Sequence, residues 1–154
     1  MKIAVSLDCE RVRTSRGSET AWICIVDEQC TVCFNSFVKP RGEVKDHLTW
    51  VSGVKPRDLM NAPFLDEIRP HIQRLLDGRL VVGHSVQTDL KFLAIDHPRN
   101  KIYDISRFPR FQTIEGQRRK LKALALEFLG LDIQNGAHDP EEDASAAMKL
   151  YTKF

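Results

Sequence analysis

Three stretches of this 154-residue sequence carry side chains suited to chemistry. The first runs from Met1 to Glu10; it opens apolar and ends in two acids. Ile3, Val5 and Leu7 alternate with smaller residues, as a strand packed on both faces allows. Residues two apart on a strand project the same way, so Asp8 and Glu10 sit side by side. Like charges that close repel, and acids are uncommon in strands. A hard divalent cation, which takes oxygen ligands, relieves both problems. The alternative is a strand that has run out into solvent, and this stretch alone leaves both open.

The second stretch is Gly83-His84-Ser85-Val86-Gln87-Thr88-Asp89, just past a short apolar strand and opening a helix. Ligands gather at such strand ends in α/β sheets. Asp89 is placed either at a site or simply as an acid that favours the positive end of a helix. The third stretch is His138 to Asp143. Asp139 suits a helix N-cap, Pro140 the first helical position and Glu142 the third, a capping-box pattern. His138 and Asp143 occupy the two positions where a helix start usually pairs apolar residues. A base and an acid there point to another use, against the alternatives of an exposed loop histidine and a helix-dipole acid.

The elements that must position these residues follow from periodicity. After the acid pair, residues 11–20 are polar and read as a loop. Residues 21–26 and 31–38 read as two strands joined by a turn at Asp27-Glu28-Gln29, giving a three-strand antiparallel meander. Lys39 to Gly42 ends it, and residues 44–54 read as irregular. Pro56 to Met60 is a short helical turn. Phe64, Leu65, Ile68, Ile72, Leu75 and Leu76 have helical spacing, stopped at Gly78. Leu80-Val81-Val82 and residues 101–105 read as short strands. Between them lies a helix whose apolar face carries Leu90, Phe92, Leu93 and Ile95. Residues 107–119 read as mostly loop. A helix from Lys120 ends at Gly130, and Ala144, Ala147, Met148 and Tyr151 share one face of the last helix. This order suggests an α/β sandwich on a mixed sheet.

Composition fits one globular domain with an ordinary apolar fraction and a net charge of only +2. The charge is unevenly spread. Between Arg99 and Lys122 lie Arg99, Lys101, Arg107, Arg110, Arg118, Arg119, Lys120 and Lys122 against Asp104 and Glu115. Arg11, Arg13 and Arg16 form a second basic patch. Beside a carboxylate cluster such patches read as a phosphate track. No transmembrane segment is present, and the N-terminal apolar run is too short for a signal peptide. Cys9, Cys24, Cys30 and Cys33 read as buried free thiols in a reducing compartment, because Cys30-x-x-Cys33 has no second pair at zinc spacing. Phe108 and Phe111 read as core packing before base stacking.

Asp8-x-Glu10, Gly-His-x-x-x-x-Asp89 and His138-x-x-x-x-Asp143, in this order, resemble the DEDDh family of 3′→5′ exonucleases. Leu-Asp-Cys-Glu at 7–10, Lys39-Pro40, the 49–53 stretch, Tyr103-Asp104-Ile105-Ser106 and the 138–144 stretch are similar to its eukaryotic RNA-exonuclease branch. The branch usually follows the glutamate with Met-Val-Gly, where this chain has Arg11-Val12-Arg13. An arginine is common where this chain has Trp50. The resemblance implies a ribonuclease H-like α/β fold, with a mixed five-stranded sheet of three antiparallel and two parallel strands flanked by helices. It implies one exonuclease domain over 1–154, as a compact whole protein or a catalytic domain excised from a longer one. It further implies two Mg²⁺ or Mn²⁺ held by Asp8, Glu10, Asp89 and Asp143, with His138 as general base. Cys9, Arg11, Thr49, Trp50 and His84 would border the substrate. The partner would be single-stranded nucleic acid, RNA before DNA, with no membrane and no obligate protein partner, in the nucleus or cytoplasm. The alternatives are a DNA-directed proofreading or repair exonuclease, a catalytically silent nucleic-acid-binding module and an unrelated metal phosphatase.

Overall fold

A computed structural model describes residues 3–154; the start of the first stretch, Met1 and Lys2, lies outside the described residues. Strand β1 (Ala4–Thr14) is the centre of a mixed sheet. It pairs antiparallel with β2 (Gly17–Val26), which pairs antiparallel with β3 (Val32–Phe37). A short β4 (Val44–Asp46) also pairs with β1. Helices α1 (Thr49–Ser52), α2 (Pro56–Leu59) and α3 (Leu65–Leu76) follow. Then β5 (Leu80–Gly83) adds parallel to the other edge of β1. Helix α4 (Val86–Leu93) leads to β6 (Ile102–Asp104), parallel to β5. Helices α5 (Leu121–Leu129) and α6 (Pro140–Lys153) close the chain. The strand order is β3-β2-β1-β5-β6.

Strand alternation divides the core into two layers. Val5, Leu7, Cys9, Ile23, Ile25 and Val81 face α3 and α4, packing with Ile72, Leu76, Leu90 and Leu93. Ala4, Cys24, Val26 and Val82 face α5 and α6, packing with Leu124, Ala144, Ala147 and Met148. Odd-numbered residues of β1 thus turn to one helix layer. Even-numbered ones, including Asp8 and Glu10, turn to the layer that carries Asp143.

The sheet departs from the sequence expectation in instructive ways. The five expected strands are present, and β4 is a sixth. Residues 11–20 are not a loop: β1 runs on to Thr14 and turns through Ser15-Arg16 into β2. The alternation is there in buried Val12 and Thr14 beside the less buried Arg11 and the exposed Arg13, but polar neighbours mask it. Residues 44–54 contain β4 and α1, elements too short to show a period. Phe92 is not on the apolar face of α4; it is 37% exposed beneath the Arg11 guanidinium, 4.5 Å from its ring centroid. The capping box of α6 is not closed. Asp139 Oδ1 accepts from the Glu141 N–H at 2.9 Å, while Glu142 turns to accept from the Gln134 N–H at 2.9 Å. All four thiols are free, but only Cys9 and Cys24 are buried; Cys33 is exposed. Phe111 is fully buried, whereas Phe108 is partly exposed and stacks on Tyr103.

Candidate active site

The C-terminal end of β5 stops beside the middle of β1, with Ser6 opposite Val82. Asp8 and Glu10 therefore project just beyond it. A β-bulge between Glu10 and Arg11 breaks the register with β2 at this point. Bulges often re-aim side chains next to sites. Gly83 makes the close approach possible: a Cβ there would lie 2.6 Å from Val86 Cβ and 2.9 Å from the Leu7 carbonyl oxygen. Ser85 then takes a left-handed conformation, φ 58°, and its N–H donates to Asp104 Oδ1 at 2.8 Å. The same oxygen accepts from the Ser106 N–H and hydroxyl. Asp104 thus ties the end of β6 to the start of α4, which brings Asp89 over the end of β5.

From the other side comes the entry to α6. The His138 N–H donates to the Val51 carbonyl at 2.6 Å, docking this loop on α1. Gly53 leaves room for it, since a Cβ would lie 2.9 Å from the His138 carbonyl. His138 Nδ1 is then 3.9 Å from Glu10 Oε2 and 3.8 Å from Asp143 Oδ2. These distances are too long for hydrogen bonds. One ligand atom each of Glu10, His138 and Asp143 lie within 4.8 Å of one another.

A cavity of about 720 Å³ joins these parts. Asp8, Glu10, Asp89, His138 and Asp143 all line it, as do Cys9, Arg11 and His84. Thr49 and Trp50 are not among its lining residues; Val51 of α1 is. The Thr49 hydroxyl donates to the Val54 carbonyl at 2.6 Å, and Trp50 is 76% exposed. The His84 ring meets the Arg119 carbonyl at 2.8 Å, which holds the basic loop to the cavity edge.

The electrostatics are those of crowded acids. Burial first, then Asp89, Asp143 and Glu10, push the Asp8 carboxyl well above its ordinary range. Burial and Asp143 raise Glu10 to about 8. Burial raises Asp89 to about 7 despite the opposing Arg11 guanidinium, which donates to Asp89 Oδ1 at 3.2 Å. Burial raises Asp143 to about 7 against the Gln134 amide, which donates to Asp143 Oδ1 at 3.0 Å. Among the described residues, Asp8 Oδ2 and Asp89 Oδ2 are buried without a hydrogen-bond partner. Unpaired buried oxygens and mutually repelling carboxylates fit a hard divalent cation, which all-oxygen sites suit. His138 departs from the unperturbed histidine that the sequence suggests: burial depresses its pKa, keeping the ring neutral near pH 7. Burial raises Cys9, so its thiol stays protonated and is no nucleophile.

Two features were not legible in the sequence. Gln134 lies in a patternless loop, in the left-handed region at φ 59°. The Arg11–Asp89 pair joins residues 78 apart in the chain. Arg118, Lys120 and Lys122 also line the cavity, and they fall inside the basic stretch already marked.

The family model RNase_T, described as exonuclease, matches residues 5–151. The chain belongs to this exonuclease family. It is 39% identical to RNA exonuclease 4 of Aspergillus fumigatus, over 97% of this chain and 50% of that protein. It is 42% identical to RNA exonuclease 4 of Kluyveromyces lactis, over 96% of this chain and 52% of that protein. With human RNA exonuclease 4 the identity is 36%, over 96% of this chain and 36% of that protein. This exonuclease chain thus spans about half the length, or less, of these relatives. Its fold matches the Neurospora crassa Pan2 catalytic unit with a TM-score of 0.87 at 28% identity, covering 98% of this chain and 26% of that one. It matches equally, at 0.87 and 26% identity, the Saccharomyces cerevisiae Pan2 pseudoubiquitin hydrolase-RNA exonuclease module in complex with AACCAA RNA, covering 99% of this chain and 29% of that one. The expected mixed sheet flanked by helices is therefore the fold this exonuclease shares with solved RNA-exonuclease modules. Among the described residues no helix is long and apolar enough to cross a membrane.

Proposed function

We propose that residues 1–154 form one exonuclease domain that hydrolyses single-stranded RNA from its 3′ end to nucleoside 5′-monophosphates. The observation that carries the reading is the single cavity in which β1, α4 and α6 bring together four carboxylates, three of them buried, and a neutral histidine beside Arg118, Lys120 and Lys122. Relatives named RNA exonuclease 4 and a neighbour solved with RNA support the substrate class.

Asp8, Glu10, Asp89 and Asp143 would hold two divalent cations, Mg²⁺ or Mn²⁺, because four carboxylates supply the charge and only oxygens. When bound, such ions lower the pKa of water and spread the charge that builds on a phosphodiester. Hard cations leave His138 for another role. Its ring, neutral near pH 7, takes the proton from the attacking water, and its backbone bond to Val51 fixes the distance to Glu10 and Asp143. Arg118, Lys120 and Lys122 line the same cavity and would meet the strand's phosphates there. Cys9 and Arg11 would border the terminal nucleotide, and Glu10 would contact its ribose 2′-hydroxyl. His84 and Thr49 act by holding the basic loop and α1 in place. Trp50, which lies outside the cavity lining, contacts the substrate only at its rim.

The test uses matched oligonucleotides of one sequence: RNA, DNA and RNA blocked by a 3′-phosphate. Faster loss of RNA than DNA, with the blocked strand spared, is the expected result. Faster loss of DNA would move the chain to the DNA-directed alternative, and early internal fragments would refute the 3′-end direction.

A further inference from the structure

The basic run from Arg99 to Lys122 does not form one track. Arg118, Lys120 and Lys122 line the acid cavity, whereas Arg99 and Arg107 lie across α4 in a separate cleft of about 740 Å³. Lys91 is the third cation there, two residues beyond Asp89 and so on a different face of α4. Helix α4 is the wall between the two spaces: Thr88 and Asp89 line one, Gln87, Leu90 and Lys91 the other. A single acid, Asp96, lines the second cleft.

The three cations outnumber that acid. Among the described residues, the ion pairs involve none of Lys91, Arg99 and Arg107. Arg107 spends only one donor, Nη1 to Gln87 Oε1 at 2.6 Å, and that neutral partner holds it at the shared wall. A third basic cleft, containing Arg16, Lys39, Arg41 and Arg69, behaves differently. There Arg41 and Arg69 both pair with Asp66, Arg41 also covers the Phe64 ring, and Glu19 accepts from the Arg41 and Gly42 N–H groups. Two of the four cations of that cleft are thus paired within the fold, whereas none of the three beside α4 is.

We infer that the Lys91–Arg99–Arg107 cleft binds backbone phosphates of the single-stranded RNA upstream of the 3′ end whose terminal nucleotide enters the acid cavity. The inference rests on the exonuclease reading of that cavity. Cations fixed along a groove track a flexible strand without reading its sequence. A strand leaving the acid cavity over the Gln87 edge of α4 meets Arg107, which Gln87 holds there, with Lys91 and Arg99 in the same cleft. Substrates too short to cross that edge gain nothing from the cleft.

The test compares wild type with the triple variant Lys91→Ala, Arg99→Ala, Arg107→Ala, and with the charge-conserving Lys91→Arg, Arg99→Lys, Arg107→Lys. Circular dichroism establishes that each folds. Binding of a 3′-phosphate-blocked RNA is read by fluorescence anisotropy, which needs no hydrolysis. Each phosphate contact on a single strand contributes about 0.7 to the log–log salt slope, so the alanine variant should lower the slope by about two for RNA of about 12 nucleotides. Between about 50 and about 200 mM salt, its disadvantage against wild type should shrink by roughly 15–20-fold. RNA of about three nucleotides should bind both equally, and the charge-conserving variant should match wild type. An unchanged slope on the long RNA, or an equal loss on the short one, overturns the inference. A wild type that binds RNA but leaves free 3′ ends intact in Mg²⁺ would refute the exonuclease reading instead, while the slopes still decide the cleft.

Discussion

The crowded carboxylates predict an unusual pH dependence of stability when metal is removed. The groups are Asp8, raised well above its range, Glu10 at about 8, and Asp89 and Asp143 at about 7. In the unfolded chain these acids titrate near 4, so between the two ranges the fold holds protons that the unfolded chain has lost. Stability must then fall as pH rises. His84 and His138 act oppositely, because burial depresses both: they favour the fold as pH rises, but only up to the ordinary histidine range. Above about pH 6.5 the histidines are neutral in both states, and the acids dominate. Each proton held only in the fold costs about 1.4 kcal/mol per pH unit, so one to two protons over pH 6.5 to 8 amount to about 2–4 kcal/mol. For a chain of this length that lowers Tm by about 5–15 °C. Scanning calorimetry in chelator across this range checks it. Mn²⁺ added at the alkaline end should raise Tm again, by about 3 kcal/mol of stabilisation at a hundredfold excess over its Kd. A Tm that is flat or rises from pH 6.5 to 8 in chelator, or that ignores Mn²⁺, would refute the placement of four interacting carboxylates in one buried cluster.

Asp8→Asn removes one of those acids; in chelator at pH 7.5 it should melt higher than wild type, and it should lose RNA hydrolysis in Mg²⁺. His138→Ala should lower kcat by roughly 10²–10⁴-fold with little change in affinity for blocked RNA, and the wild-type rate should rise with pH through an inflection below the ordinary histidine value. Arg11→Met strips Asp89 of its counter-charge, and since Arg11 is 31% exposed the loss in chelator should be about 1–2 kcal/mol, less than a fully buried pair costs. That loss should shrink as pH falls through about 7, where Asp89 takes up a proton. Gly83→Ala places a Cβ against Val86 and the Leu7 carbonyl, so thermal denaturation should show a loss of at least about 1–3 kcal/mol.

Much of the candidate site is legible in the sequence because its residues sit at points of local regularity. Asp8 and Glu10 share a face through the two-residue period of a strand. Asp89 follows a strand end, and His138 and Asp143 break the pattern of a helix start. What the sequence hid is tertiary. The continuation of β1 past the acids depends on pairing with β2 and β4, and its alternation is masked by arginines. The Arg11–Asp89 pair needs the bulge at Glu10/Arg11 and the left-handed Ser85, neither of which leaves a local signature. Gln134 reaches Asp143 only because a left-handed turn aims it there. The basic stretch is obvious in composition, but its division between two clefts is set by where α4 packs.

The central claim is that this carboxylate cluster, with His138, removes nucleotides from RNA 3′ ends when divalent metal is present. A time course with 5′-labelled single-stranded RNA, run with wild type and Asp8→Asn in Mg²⁺ and in chelator, tests it most directly. Wild type in Mg²⁺ alone should give a ladder that shortens one nucleotide at a time, releasing 5′-monophosphates. Undiminished shortening in chelator, or by Asp8→Asn, would contradict it.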